Sequence, residues 1–534
     1  MPGRSGRADF TVIRAAAPPK VSDLPKGQNL SGKRLLAPER SIGALREFRQ
    51  ARHEAASKLV ERLGFNALPG FSMFPAVEGE EKGRPATNVE LKVAQREEKY
   101  LCDWIARELM LKNPQLTFKC ARKEAVAELS KDCTALLNNK SWNKEVTRFK
   151  HKGREFISTL VPAAQMKMDG GDKDIFPISY NGKGICSSST RETQHAVNLW
   201  ISEISTQEGS KEKVLSRVVR HGILSPYGLE KDSVGRSDGA KNRAIEVVTA
   251  ALFTKPELLK KALAGGEVPL RLVSTSLVTG GLSNEHDMLD DQMAAWSQLT
   301  ETQPLVLSVV DASGARCDVK VRLEVAALNF GVNELALQLG FGQSQADAFN
   351  VGALRQLLGD DLSEGKEPGG WVADYLKSEP APTAKSAERV RILSDQLRAI
   401  WASKAHHSDG GEPYKASQRI ESLAYEIGAV PCLNCKSGKD RTEMADAEGK
   451  FAAVRWYQGA EPNVPGSKLT EDDQQLLRKI LLNDGGIKVQ KYNTGAPGNK
   501  VMKKLPFLNL SFLKRIGDSN VWDRLQGLSR LVKS

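Results

Sequence analysis

No stretch of the chain approaches the roughly 20 consecutive apolar residues that a membrane-spanning helix needs. The first residues also lack the apolar segment of a secretory signal peptide, so membrane contact is expected to be peripheral. Aromatic residues are scarce, at 6%, which disfavours base-stacking platforms. No nucleic-acid module is evident, and nucleic acid is not an expected partner. Cysteines are few, odd in number and scattered: Cys102, Cys120, Cys133, Cys186, Cys317, Cys432 and Cys435. That pattern excludes a disulfide scaffold and suits a reducing compartment. The pair Cys432 and Cys435 lacks the second half of a zinc site and a thioredoxin context, leaving Cys432 as a buried small apolar residue or as a resolving partner for an oxidised Cys435. Internal repeats are absent. Gly498-Asn499-Lys500 lacks the spacing of a nucleotide P-loop, so ATP or GTP is not an expected cofactor.

What is present is positive charge. The 534 residues carry 77 Lys and Arg against 65 Asp and Glu, a net charge of +12. That balance suits acidic partners such as phosphorylated headgroups or an anionic membrane surface. The length allows about two to four domains.

The stretch that carries chemistry is Asn434-Cys435-Lys436-Ser437-Gly438-Lys439-Asp440-Arg441-Thr442. A Cys, five residues, an Arg and a Thr suit removal of a phosphoryl group from an alcohol. Cys435 is the candidate nucleophile. The intervening backbone, through Ser437 and Gly438, can curl into an anion nest, with Gly438 supplying a φ > 0 position. Arg441 can hold two phosphate oxygens at once. Thr442 can cap the helix marked by Met444, Ala447, Phe451 and Val454. The preceding Ala429–Leu433 reads as a buried strand, although Pro431 is awkward there. A phosphate would then sit at a helix N-terminus. That N-terminus, with Lys436, Lys439 and Arg441, would lower the thiol's proton affinity. The nest supplies the positive field, so no metal is assigned to the reaction. Lys436 and Lys439 are candidates for further phosphates of a polyphosphorylated ring. A proton donor for the leaving oxygen is expected, and two candidates stand open: Asp440, or the loop running from His406 to Pro413.

Along the chain, residues 1–35 are basic and rich in Pro and Gly, and read as a disordered arm. Helical periodicity follows, in Leu45, Phe48, Ala55 and Leu59, then Leu101, Ile105 and Leu109, then Val126, Leu129 and Cys133. Arg52 interrupts the first of these faces. Residues 36–165 are therefore expected to form an all-α domain, and 166–191, with their Gly, Asp and Ser clusters, a linker. Residues 192–534 read as a mixed α/β domain. Helices are expected at about 192–220 and 240–264, and strands at 268–279, 305–310 and 319–325. In the last strand Val319, Val321, Leu323 and Val325 alternate with charged residues.

The loop from Asn434 to Thr442 resembles the active-site loop of the SopB/SigD/IpgD family of type III secreted inositol-phosphate phosphatases. Asn329-Phe330-Gly331-Val332-Asn333-Glu334-Leu335-Ala336-Leu337 resembles a motif that family shares with inositol polyphosphate 4-phosphatases, and Asn493 to Lys503 resembles a third. One departure is Glu443, where the family usually has Gly, which would set an extra negative charge beside the loop. The resemblance implies a secreted virulence effector acting in the host cytoplasm, peripheral to membranes. Its implied substrates are phosphoinositides or inositol polyphosphates, with the 4-phosphate of phosphatidylinositol 4,5-bisphosphate as one candidate. It also implies a secretion-chaperone segment in the arm, a host Rho-family GTPase as partner of the helical domain, and a role for Lys500 and Lys503 at substrate phosphates. The fold expected is a mixed α/β cysteine-phosphatase catalytic domain preceded by an all-α interaction domain, with no cofactor. Two alternatives stand beside it: a non-catalytic GTPase-binding effector, and a protein-tyrosine phosphatase.

Overall fold

Ser41 caps the first helix, its hydroxyl accepting the Ala44 N–H at 3.1 Å, and Gly64 closes it in the left-handed conformation at φ 59°. The chain is seen here in a computed structural model that describes residues 38–65, 68, 83–280, 285–332, 342–408, 410–500 and 511–532. The arm of residues 1–35, positions 333–337 of the second family motif, Asp409 and Lys503 lie outside them. The chain divides into two units after Leu136.

The first unit holds helices α1 (Ile42–Leu63), α2 (Asn88–Lys112) and α3 (Phe118–Asn138). Their facing stripes, Ala55 and Leu59, Leu101 and Ile105, Ala125 and Leu129, share one core. Thr87 and Glu90 form a reciprocal capping box at the start of α2. Arg52, which breaks the apolar stripe of α1, bonds Glu98 on α2 and the Cys133 sulfur on α3. The interruption is thus a polar clasp between the three helices.

The second unit is built on an eight-stranded sheet: β1 (Glu145–His151), β2 (Arg154–Pro162), β3 (Trp200–Glu208), β4 (Lys211–Gly222), β5 (Val268–Ser276), β6 (Leu305–Val310), β7 (Arg316–Asn329) and β8 (Val430–Cys435). The order is β1-β2-β3-β4-β8-β5-β7-β6. β1 to β4 form an antiparallel meander, β4, β8, β5 and β7 run parallel, and β6 turns back beside β7. Both faces are covered. Val219, Cys432, Leu272 and Val321 meet helices Val234–Phe253 and Glu285–Glu301 on one face. Leu433 and Val273 point the other way, toward helices Asp440–Tyr457 and Lys415–Glu426.

Three expectations are corrected. Residues 145–162 are strands, so helix ends at Asn138 and the unit boundary precedes residue 165. The turn between β1 and β2 is Lys152-Gly153, both at positive φ, which matches strand twist in a two-residue hairpin. Residues 200–222 are the hairpin β3–β4 rather than helix. The segment 166–191 is no linker: Met166, Ile175, Phe176 and Tyr180 are buried, and Ile175 accepts the Val310 N–H at 2.9 Å. Pro431 sits in β8 where pairing with β4 has not begun, since that ladder starts at Cys432, so its missing N–H costs nothing there.

Candidate active site

β8 lies between β4 and β5 and parallel to both. In register, Cys435 stands beside Gly222 and Asn434 beside Ser276. The carboxyl ends of these strands form one rim, the usual ligand edge of a parallel sheet. The chain leaves β8 at Cys435 and, after four intervening residues, enters helix Asp440–Tyr457. The loop's carbonyls are tied to the scaffold: Gly438 N–H bonds Cys435 O at 3.1 Å, Ile223 N–H bonds Lys436 O at 3.3 Å, and Asn198 Nδ2 bonds Ser437 O at 3.0 Å. Gly438 has φ 65°, and a Cβ there would lie 2.4 Å from the His221 carbonyl. Both conformation and space demand glycine.

Cys435 is 1% exposed. Burial pushes its thiol up, but the Arg441 guanidinium together with the hydroxyl and backbone N–H of Thr442 outweighs that, and the proton affinity falls below the ordinary thiol value. The Thr442 hydroxyl is fully buried and has no other partner. Cys432 behaves oppositely, because burial pushes its thiol up with no compensating charge. It packs into the core on one sheet face, whereas Cys435 joins the core on the other. Three residues apart on a strand, their Cα atoms are separated by roughly 10 Å. A disulfide needs less than about 7 Å, so Cys432 is not a resolving partner.

Arg441 donates to the Leu277 carbonyl at 2.8 Å and to Glu285 at 3.3 and 3.5 Å. Burial would lower its proton affinity, but Cys435 and Glu285 raise it, so the guanidinium stays charged. Leu277 is held in turn. Its N–H bonds Asn434 O at 2.7 Å, and Asn329 Nδ2 bonds the next carbonyl, Val278 O, at 2.8 Å. Asn329, first residue of the second family motif, thus braces the strand end that anchors the arginine.

The two loop lysines differ. Lys436 is half-exposed, with its ammonium 4.9 Å from the centre of the Tyr227 ring. Lys439 is buried and pairs with Asp440 Oδ2 at 2.7 Å. Asp440 Oδ1 accepts the Lys500 N–H at 2.7 Å, and the Asp440 carbonyl accepts Asn499 Nδ2 at 3.0 Å. The third family motif therefore meets the loop through backbone and amide contacts. Ser437 Oγ lies 3.8 Å from the Cys435 sulfur.

Glu443 is a correction. Its carboxyl is fully buried, and Oε2 accepts Gln490 Nε2 at 2.6 Å and Asn499 Nδ2 at 3.3 Å. Burial, reinforced by Asp484, pushes its proton affinity up to about 8, so at neutral pH it is mostly protonated and adds little negative charge beside the loop. Gly486 leaves the room, since a Cβ there would lie 2.5 Å from Glu443 Cγ.

The His406–Pro413 loop offers less acid chemistry than expected. Glu412 is buried in an ion pair with Arg419 at 2.9 Å and accepts the Gly466 N–H at 2.7 Å. His406 and His407 both bond Asp347. Among the described residues these three form the group whose metal-ligating atoms converge. The loop leads instead to Tyr414, a buried phenol near enough to interact with Arg441 and Cys435 and pushed up by burial. Tyr414, Glu285 and Asn198 carry no sequence signal of a site, since each is a single polar residue in a remote segment, whereas Asn499 lies within the third family motif.

Residues 72–532 match the profile of the family described as enterobacterial virulence protein IpgD. The chain belongs to that family. Relatives of this IpgD-family chain include inositol phosphate phosphatase SopB of Salmonella typhimurium, 45% identical over 456 residues that cover 84% of this chain and 80% of the relative. SopB of Salmonella bongori is 48% identical over 78% of this chain and 99% of its own length. Inositol phosphate phosphatase IpgD of Shigella flexneri is 43% identical over 77% of this chain and 76% of its own length. Among solved structures, a Legionella phosphoinositide phosphatase superposes with TM-score 0.59 at 10% identity, covering 92% of this chain and 91% of the other. The Legionella phosphoinositide phosphatase SidF gives TM-score 0.55 at 11% identity, with the same coverage. At such identity the likeness is one of fold.

Proposed function

We propose that this IpgD-family protein is a secreted virulence effector that removes a phosphate from phosphoinositides or inositol polyphosphates through a phosphocysteine intermediate. The observation that carries the reading is the thiol of Cys435. It is buried and lowered in proton affinity, at the mouth of a glycine-hinged loop, with Arg441 and a helix N-terminus beside it. The names of the SopB and IpgD relatives supply the substrate class.

In the reaction, the Cys435 sulfur attacks phosphorus in line with the leaving oxygen. The S–P bond forms, the P–O bond breaks, and the leaving inositol oxygen takes a proton from solvent water. Water then attacks the phosphocysteine, releasing inorganic phosphate and restoring the thiolate. The carbonyls of Lys436 and Ser437 are tied to the scaffold and the Gly438 N–H to the Cys435 carbonyl, which leaves the N–H groups of Lys436, Ser437 and Lys439 to surround the transferred oxygens. Arg441 holds two of those oxygens, fixed by Leu277 and Glu285. The Thr442 hydroxyl stabilises the thiolate, both at the start and as the leaving group of the second step. Lys436 meets a further ring phosphate. Lys500 and Lys503 belong to the same proposal through the third motif. Asp440 accepts hydrogen bonds on both oxygens, one from an ammonium, and this suits shaping the loop better than delivering a proton.

A phosphate-release panel over phosphoinositides, soluble inositol phosphates and phosphotyrosine peptides tests the substrate class. The proposal expects the first two groups to exceed the peptides. Faster peptide turnover would replace it with a protein-tyrosine phosphatase. The secretion chaperone for the arm and the Rho-family GTPase for the helical unit belong to the proposal through family resemblance alone.

A further inference from the structure

We infer that Asp347, His406 and His407 form a binding site for one divalent transition-metal ion, zinc by its donor set, separate from the phosphate loop. Asp347 lies in helix Gln343–Leu358, and the two histidines form the short turn Ala405–His407 that follows helix Ala384–Ala402. The Nε2 atoms of His406 and His407 stand 2.8 and 2.9 Å from the same oxygen, Asp347 Oδ1. All three ligand atoms lie within 4.8 Å of one another.

The hydrogen-bond arithmetic at this point is what calls for a cation. His406 Nδ1 faces the Ile400 carbonyl at 3.5 Å. In a neutral ring with its N–H on Nδ1, toward a carbonyl that only accepts, the lone pair stays on Nε2. That lone pair faces a carboxylate oxygen, which is also an acceptor. Lys404 does not fill the gap, because its ammonium is 2.9 Å from the other oxygen, Asp347 Oδ2. A metal ion that accepts lone pairs from both nitrogens and from Oδ1 removes the conflict. A backbone partner on the far nitrogen is the usual outer-shell support of a metal-bound histidine.

The geometry is close to what an ion needs. Bonds of about 2.0–2.2 Å in a tetrahedral site set ligand atoms roughly 3.3–3.5 Å apart, so each histidine nitrogen would move about half an ångström away from Asp347 Oδ1. Trp401 stacks on the His406 ring at 5.1 Å with a 13° tilt, and the His406 side chain is 1% exposed, so that ligand is rigid. The Asp347 side chain is 26% exposed, which gives an ion and a fourth, water ligand a way in. Two imidazoles exclude calcium and magnesium, which take oxygen ligands, and favour zinc. The histidines line a small pocket with Thr279, Gly280 and Phe330. An ion here would pin the 405–407 turn to helix Gln343–Leu358, behind the segment that anchors Arg441.

The test uses the full chain, stripped with a chelator and titrated with cobalt(II), then zinc. One equivalent of cobalt should bind with tetrahedral ligand-field absorption, and zinc should displace it. The band should persist in Cys435→Ser and in His286→Ala, a control on an exposed histidine, and weaken at least tenfold in affinity in Asp347→Asn. His407→Cys should keep the ion and add a sulfur-to-cobalt charge-transfer band, a positive sign that survives if Asp347→Asn fails to fold. Absence of stoichiometric cobalt binding to the wild-type chain would overturn the site and assign the position to a proton on His406. Binding that ignores Asp347→Asn, or His407→Cys without the new band, would overturn it too.

Discussion

The ammonium of Lys439 lies 2.7 Å from the carboxylate of Asp440, its neighbour in the loop. The charge of Lys439 is therefore used inside the loop, while that of Lys436, over the Tyr227 ring, remains available. A charge-assisted hydrogen bond to a second phosphate is typically worth ~1.5–3 kcal/mol. Lys436→Met should then lower kcat/KM for a polyphosphoinositide by roughly ten- to 150-fold, at about 1.36 kcal/mol per decade, and affect a small aryl phosphate much less. Lys439→Met should lower both substrates alike, because it disturbs the loop itself. The ratio of the two kcat/KM values in each variant distinguishes these outcomes, and the reverse pattern would reassign the lysines.

Arg441 is held by the Leu277 carbonyl and Glu285. Arg441→Lys keeps a charge but loses the planar fork. It should cost at least about a hundredfold in kcat/KM, the scale of losing one oriented transition-state donor. Glu285→Gln keeps the shape but weakens the hold, and should cost roughly tenfold. Steady-state kinetics on both variants checks the ordering; a larger loss in Glu285→Gln would give the carboxylate a direct part in the chemistry.

Glu443 carries a pH prediction. Its folded value, about 8, lies above the ordinary 4.5, so the folded chain retains a proton that the unfolded chain has released. The stability it contributes is full below about 4.5 and is lost as pH rises through about 8. Asp484, raised to about 6 by burial, adds a fall of the same sign that ends lower. Glu443→Gln keeps a neutral side chain of the same shape. Urea midpoints measured from pH 5 to 9 should fall less steeply in that variant. Equal slopes in the two proteins would mean that Glu443 ionises freely.

The unit boundary predicts how fragments behave. β2 pairs with β3, so a fragment of residues 36–165 carries a hairpin cut from its sheet. Ending the fragment at Leu136 should give a more soluble and equally helical protein, measured by sedimentation and circular dichroism. Better behaviour of the longer fragment would place β1 and β2 with the helices.

How legible these features are in the sequence follows from how each is packed. β5, β6 and β7 stand out as apolar or alternating runs between turn signals, and the helices over 240–264 and after residue 384 show plain periodicity. β3 and β4 are hidden because their buried positions include Ser202, Ser205, Thr206 and Arg220. These polar residues find their partners only in three dimensions: Ser202 and Arg220 both bond Asp446, at 2.8 and 2.9 Å. The loop from Cys435 to Thr442 is legible because its parts are contiguous. The groups that steady it come from positions 198, 285, 414 and 499, and only the fold assembles them.

The central claim is that Cys435 makes and breaks a bond to phosphorus. Cys435→Ser is nearly isosteric, and the loop is held by backbone contacts, so the variant should fold normally. The decisive measurement is inorganic phosphate released from a polyphosphoinositide by wild type and Cys435→Ser, with circular dichroism to establish equal folding. The account predicts no detectable turnover in the variant. Release near the wild-type rate by a well-folded Cys435→Ser protein would contradict it.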